Sequence, residues 1–340
     1  MAKIITFGEL MLRLAPHGHL RFSQADDLQA TFGGGEANVA VSLANFGLDA
    51  AFVSKIPNND IGQKAVNELR SFGVDTSLIT RGGERIGIYF LEKGASQRPS
   101  KVIYDRKWSA ISLAGSDDFD WAAIFNDAKF FHFTGITPAL SPQTAEICLE
   151  ACKKAKEKNI TVSCDLNYRK NLWTTEQAKE TMTKLMPFVD VCIANEEDAH
   201  KVFGIQAENT DVSGGELSHD GYKDVAKKIA SKFGCSYVAI TLRSSISADD
   251  NIWAAMIYDG KDCHFSKSYN VHIIDRVGGG DSFGAGLLYG FASGMKPAES
   301  LEWAVAASCL KHSIEGDYNR VTVAEVNALA GGDGSGRVQR

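Results

Sequence analysis

Short apolar runs alternate along this chain with stretches whose apolar residues recur every three or four positions. The runs Ile4–Phe7, Ala51–Ser54, Phe130–Thr134, Thr161–Asp165, Val189–Ala194 and Tyr237–Leu242 are predicted strands. They are apolar at consecutive rather than alternate positions, as expected of strands covered on both faces. Between them, Glu36–Phe46, Ile61–Phe72, Pro142–Lys158, Tyr222–Lys232, Ser282–Ala292 and Pro297–His312 carry helical periods. Strands alternating with long helices imply βαβ units and a parallel sheet.

Two segments break this rhythm. Arg13–Phe32 and Arg85–Ile111 alternate apolar and polar residues with no helix between them. IGIYFLEK and KVIYDRKW read as antiparallel strands exposed on one side. They form either a small lid over one end of the main sheet or an edge hairpin without a role. Ala207–Gly221 is polar and glycine-containing, and is expected to be a mobile insertion. The tail GGDGSGRVQR is expected to be flexible unless a neighbouring subunit ties it down.

Composition narrows the class. Of 340 residues, 44% are hydrophobic and 23% charged, with a net charge of −6. A chain of this length can bury a large core. Mild acidity without a Lys/Arg cluster argues against a nucleic-acid surface. No apolar run reaches the roughly 18 residues a membrane span needs. MAKIITFGEL reads as a strand without a signal-peptide layout, and the seven cysteines are scattered singly. Reduced thiols in a cytoplasmic protein are expected.

One stretch carries the chemistry, VGGGDSFGAG at Val277–Gly286. It fits neither familiar phosphate motif. In G-x-G-x-x-G the third glycine would fall on Phe283, and in the P-loop Ala285 stands where lysine is required. A glycine turn running into a helix still offers converging N–H groups and partial positive charge to an anion. Asp281 then has two readings. It can cap the helix, or it can act as a general base beside an anion hole formed by Gly278, Gly279 and Gly280. With an ordinary aspartate pKa it would be ionised at neutral pH.

Asp275–Asp281, with Ser282–Gly286 behind it, resembles the C-terminal signature of the ribokinase-like (PfkB) sugar kinases, with Gly279 in place of the usual alanine. The resemblance spans nearly the whole chain. It implies a three-layer αβα fold with a mostly parallel central sheet, helices on both faces and a small β lid. The kinase domain would cover 1–330, with lid segments near 13–32 and 85–111 and a flexible tail at 331–340. It also implies transfer of a phosphoryl group from ATP with Mg²⁺, and Asp281 as the base. GGGEANVA at Gly33–Ala40 is similar to the family's first signature, which makes Gly34 and Asn38 expected sugar contacts. Asn195-Glu196-Glu197-Asp198 resembles its Asn-x-x-Glu motif with Asp at the last position. By that likeness Asn195 and Asp198 would hold Mg²⁺ indirectly, through water. Taken alone, the stretch is equally an acid-rich helix start. Thr241 and Arg243 are expected at the nucleotide, beside Gly278 and Gly280. The family's lids often clasp a second subunit, so a homo-oligomer is expected.

A sugar acid calls for arginine, whose fork matches a carboxylate. Arg106 lies on the expected lid, and Arg169 just past the strand Thr161–Asp165, where ligands of open α/β sheets bind. With Tyr89, Tyr104 and FHFTGITPAL, the set resembles the family's 2-keto-3-deoxygluconate kinases. That likeness makes Gly34, Tyr89, Tyr104, Arg106 and Arg169 substrate contacts, with Asp317 a further candidate. The alternatives are a kinase of a neutral sugar, such as a fructokinase or ribokinase, and a non-catalytic sugar-binding protein on the same fold.

Overall fold

A computed structural model describes residues 3–195, 197–206 and 219–336. The first third of the chain forms β1 (Lys3–Phe7), β2 (Met11–Ala15), β3 (Gln29–Gly33), α1 (Gly35–Asn45), β4 (Asp49–Ile56), α2 (Asp60–Ser71), β5 (Ile79–Arg81), β6 (Gly87–Glu92) and β7 (Lys101–Asp105). There follow α3 (Trp121–Ile124), β8 (Ala128–Thr134), α4 (Ile136–Ala139), α5 (Pro142–Glu157), β9 (Thr161–Asp165), α6 (Thr175–Leu185), β10 (Val191–Asn195) and α7 (Asp198–Phe203). The last third holds α8 (His219–Phe233), β11 (Tyr237–Ser245), β12 (Asp250–Tyr258), β13 (Cys263–Phe265), β14 (Tyr269–His272), α9 (Gly279–Ala292), α10 (Pro297–Lys311) and α11 (Val323–Ala330).

Ten strands make the main sheet, in the order β13-β12-β11-β10-β9-β8-β1-β4-β5, with β14 also on β12. From β11 to β5 every neighbour is parallel, as the consecutive apolar runs predict. The antiparallel β12–β14 edge was not anticipated from the sequence. These strands close one end of the sheet, where short hairpin connections replace helical crossovers. Helices α5, α6 and α8 pack on one face in the largest core cluster, and α1, α2, α9 and α10 cover the other.

Local chemistry sets the helix ends. Ser141 and Thr144 form a reciprocal capping box before α5, with Pro142 in its first turn. Thr174 and Gln177 do the same for α6. Helix α9 starts three residues earlier than its apolar period predicts, at Gly279, so the glycine turn is its first turn. Glycine also lets α9 and α10 approach closely, since a Cβ on Gly286 would overlap the Ala304 backbone.

The expected lid is a separate four-stranded sheet, β3-β2-β6-β7. Strands β6 and β7 pair antiparallel, bringing Tyr89 opposite Tyr104, while β2 and β6 run parallel. Of the expected insertion at 207–221, residues 207–218 lie outside the described residues, and His219–Gly221 open α8 rather than a loop. Glu196 and the tail residues 337–340 also lie outside them. Among the described residues no helix is long and apolar enough to cross a membrane. All seven cysteines are free, and six are buried.

Candidate active site

The parallel strands end on one edge of the sheet, and Thr134, Asp165 and Asn195 are the last residues of β8, β9 and β10. After β1 the chain builds outward to β4 and β5, then returns to lay down β8–β11 on the other side. The topological switch therefore lies between β1 and β8, the usual place for a ligand crevice. A cleft of about 1120 Å³ opens there, roofed by the lid residues Tyr89, Tyr104 and Arg106. Gly34, Gly278, Gly280 and Asp281 line it, as do Asn38, Arg169, Asn195, Asp198, Thr241, Arg243 and Asp317. Every residue singled out from the sequence faces this space except Gly279, which is buried just behind it.

Each glycine of the turn has its own reason. Gly278 has φ +82°, and a Cβ there would overlap the Asp317 carbonyl. A Cβ on Gly279 would press into the His312 ring, whereas one on Gly280 would meet nothing within 4 Å and only intrude on the cleft. The Gly279 N–H donates to the Arg276 carbonyl at 3.3 Å. It is therefore not available to an anion, contrary to the three-glycine hole expected from the sequence. Among the described residues no acceptor meets the N–H groups of Gly278, Gly280 or Asp281, and these are the donors left at the α9 N-terminus.

The helix cap is Gly278, without side-chain help, so Asp281 is not a cap. Its carboxylate instead accepts a hydrogen bond from Asn38 Nδ2 at 2.6 Å. Asn38 Oδ1 takes the Gly34 N–H at 3.3 Å. The expected sugar-reading amide thus orients the Asp281 carboxylate, bridging the first glycine turn to the last. Gly34 is glycine for space, because a Cβ there would overlap the Glu9 carbonyl.

Asp281 departs most from the sequence-based expectation. Burial pushes its pKa up to about 7, opposed by the Asn38 hydrogen bond and Arg169, and reinforced by Asp317 and Glu36. A simple aspartate at the surface would be ionised throughout the neutral range, but this one titrates within it. Asp165, at the end of β9, is pushed far above its ordinary value by burial and by Asp198 and Asp281.

The two arginines expected to read a carboxylate differ. Arg106 is buried and its fork is held by Glu9, with Nε donating at 2.8 Å and Nη2 closing the pair. Ser109 donates to the other Glu9 oxygen at 2.6 Å. Its charge is already balanced, which the sequence could not reveal because Glu9 lies far away along the chain. Arg169 is exposed on the wall formed by the loop after β9. Asp317 is 3% exposed, and takes Arg13 Nη1 at 2.7 Å and the Tyr89 hydroxyl at 2.6 Å. It braces Tyr89, whose hydroxyl oxygen keeps accepting capacity toward the cleft.

At the end of β10, Asn195 Oδ1 accepts from Glu197 and Asp198 N–H at 2.8 and 3.0 Å. Asp198 Oδ2 returns the bond to Asn195 N–H, and Oδ1 accepts from Tyr168 N–H. Among the described residues no group of three potential ligands could cage a metal. Asn195 and Asp198 line the cleft with oxygen donors, the kind of group that fits a hydrated Mg²⁺. Arg276, not expected as a site residue from the sequence, lines the cleft with Thr241 and Arg243, its Nη2 anchored on the Ala248 carbonyl at 2.6 Å. Burial and the neighbouring Arg243 both lower its pKa, as two cations facing one space would.

Comparisons with known proteins place the chain in a family. Residues 1–322 match the family model described as pfkB family carbohydrate kinase. A 2-dehydro-3-deoxygalactonokinase of Haloferax volcanii is 33% identical over 98% of both chains. A 2-dehydro-3-deoxygluconokinase of Thermoproteus tenax is 26% identical over 93% of this chain and 90% of its own. The crystal structure of a 2-dehydro-3-deoxygluconokinase from Thermotoga maritima superposes with a TM-score of 0.94 at 52% identity, covering 98% of this chain and all of that one. The chain belongs to the pfkB family of carbohydrate kinases.

Proposed function

We propose that this chain is an ATP-dependent sugar-acid kinase that phosphorylates the 6-hydroxyl of 2-keto-3-deoxygluconate, giving 2-keto-3-deoxy-6-phosphogluconate. The observation that carries it is Asp281, oriented by Asn38 and set at the free N–H groups of the glycine turn, in a cleft whose wall presents the exposed Arg169. The relatives that act on 2-dehydro-3-deoxy sugar acids support the substrate class.

In this reading Arg169 pairs with the sugar-acid carboxylate, Tyr89 and Tyr104 hold hydroxyls under the lid, and the attacking hydroxyl lies against Asp281. Asp281 accepts its proton as the phosphoryl group arrives, and the N–H groups of Gly278, Gly280 and Asp281 stabilise the equatorial oxygens. Arg243, Arg276 and Thr241 hold the nucleotide's phosphates. Mg²⁺, when bound with ATP, supplies charge neutralisation at the phosphates, and Asn195 and Asp198 would hold its waters. The lid is the place for self-association, because edge strand β7 leaves Val102, Ile103 and Tyr104 between 39% and 45% exposed. Sedimentation of Ile103→Glu tests that assignment, and an unchanged oligomer would remove it.

The function is tested by coupled ATP consumption against a panel of 2-keto-3-deoxygluconate, 2-keto-3-deoxygalactonate, gluconate, fructose and ribose. The first is expected to give the highest kcat/KM, and a preference for fructose or ribose would overturn the reading. Turnover of the galacto epimer is the second reading favoured by a relative. Binding without turnover would point to a silent sugar-binding protein.

A further inference from the structure

Lys311 ends α10, and none of its surface is exposed. An ammonium has three donors and no acceptor. All three are engaged by main-chain carbonyls, those of Gly316 at 2.7 Å, Asp275 at 3.2 Å and Ile314 at 3.3 Å. These oxygens belong to the two loops that meet under the glycine turn, 273–278 and 312–317. The loops are stitched elsewhere by Ile274 N–H on the His312 carbonyl at 2.8 Å and Gly316 N–H on Asp275 Oδ2 at 3.1 Å. Lys311 Cε lies 3.3 Å from the position a Cβ would take on Gly278.

Charge around it is balanced. Arg13 reaches Asp275 at 2.5 Å and Asp317 at 2.7 Å, so two cations and two carboxylates share one buried cluster. Burial lowers the Lys311 pKa, while Asp275, Asp317 and Asp281 raise it and Arg13 lowers it further. An apolar residue in its place would leave three buried carbonyls without a partner and the cluster with an unmatched negative charge. With no donor left over, Lys311 cannot also contact a phosphate.

We propose that Lys311 is a tethered monovalent cation, a positioning residue whose carbonyl-caged ammonium fixes the anion-binding turn and makes a free alkali or ammonium ion unnecessary. The role in turnover rests on the kinase function proposed above, whereas the cation replacement does not. Its geometry is that of a dehydrated cation held by carbonyl dipoles beside a carboxylate, except that the cation is carried on the chain. Removing the arm while keeping the carbonyls therefore leaves a cavity that a small free cation can enter.

The experiment compares wild type, Lys311→Ala and Lys311→Met in choline, potassium and ammonium chloride at one ionic strength. Wild-type turnover and melting temperature are expected to be the same in all three. Lys311→Ala is expected to lose about 100-fold in kcat in choline, with KM for the sugar acid little changed, as displacement of a positioned group by about 1 Å can cost. Potassium or ammonium should restore its kcat and raise its melting temperature saturably. Lys311→Met, which fills the space, should show the loss without the rescue. Cation activation of the wild type would overturn the proposal. So would a folded Lys311→Ala that keeps wild-type kcat, or that loses it and responds to no cation. If Lys311→Ala is insoluble in every salt, the wild-type arm and Lys311→Met decide, and wild-type kcat in Lys311→Met overturns it. If the wild type phosphorylates nothing, the functional reading fails, and the melting response of Lys311→Ala still tests the cation site.

Discussion

Asp281→Asn separates a catalytic carboxylate from a structural one, because its two expected effects have opposite value to the protein. The substitution keeps the size and an oxygen for Asn38 Nδ2, now 2.6 Å from the Asp281 carboxylate, but removes the base. General-base loss alone is expected to lower kcat by about 10³-fold. Stability should move the other way. The gap between an ordinary aspartate near 3.8 and about 7 in the folded chain corresponds to about 4 kcal/mol for holding this group ionised. That figure is a ceiling, since Asp281 is half-buried and cleft water still reaches it. A folded-state pKa raised above the unfolded one gives a contribution fully present below about 4 and lost as pH rises through about 7. The wild type should therefore lose up to about 1.4 kcal/mol per pH unit relative to Asp281→Asn across that window, then level off. Denaturant titrations of both proteins from pH 4 to 8, beside steady-state kinetics, read both effects. A stability difference that stays flat with pH would refute the burial account, and near-normal turnover would refute the base.

Three further outcomes follow from the same geometry. Wild-type kcat/KM should rise about tenfold per unit below the Asp281 pKa near 7 and flatten above it, because only the ionised form accepts the proton; a profile flat from pH 5 to 8 contradicts this. Arg169→Ala should raise KM for 2-keto-3-deoxygluconate by at least about tenfold and leave KM for ATP unchanged, the loss of one charge-assisted pair. An equal effect on both substrates would move Arg169 to the nucleotide. Gly278→Ala should lower the melting temperature through its φ of +82° and its clash with Asp317, whereas Gly280→Ala should fold normally and raise KM for ATP. Equal melting temperatures for the two variants would contradict the packing argument.

Much of this protein was written locally. Consecutive apolar runs marked the parallel strands and helical periods marked α1, α2, α5 and α8–α10, whereas the largely polar α6 was not predicted. The glycine turn ending in Asp281 marked a candidate anion site, because φ preference and backbone N–H geometry act within a few residues. Arg13 even carried a local sign, a cation on the inward face of β2 between Met11 and Ala15. Only the tertiary structure decided which charges were free. Glu9 neutralises Arg106, Arg13 and Tyr89 occupy Asp317, and Asn38 turns from the sugar to Asp281. Burial, a property of the whole fold, moved Asp281 into the neutral range and placed Lys311 under the glycines. Pattern and turn chemistry are short-range and can be read along the chain; desolvation and charge pairing depend on residues that folding alone brings together.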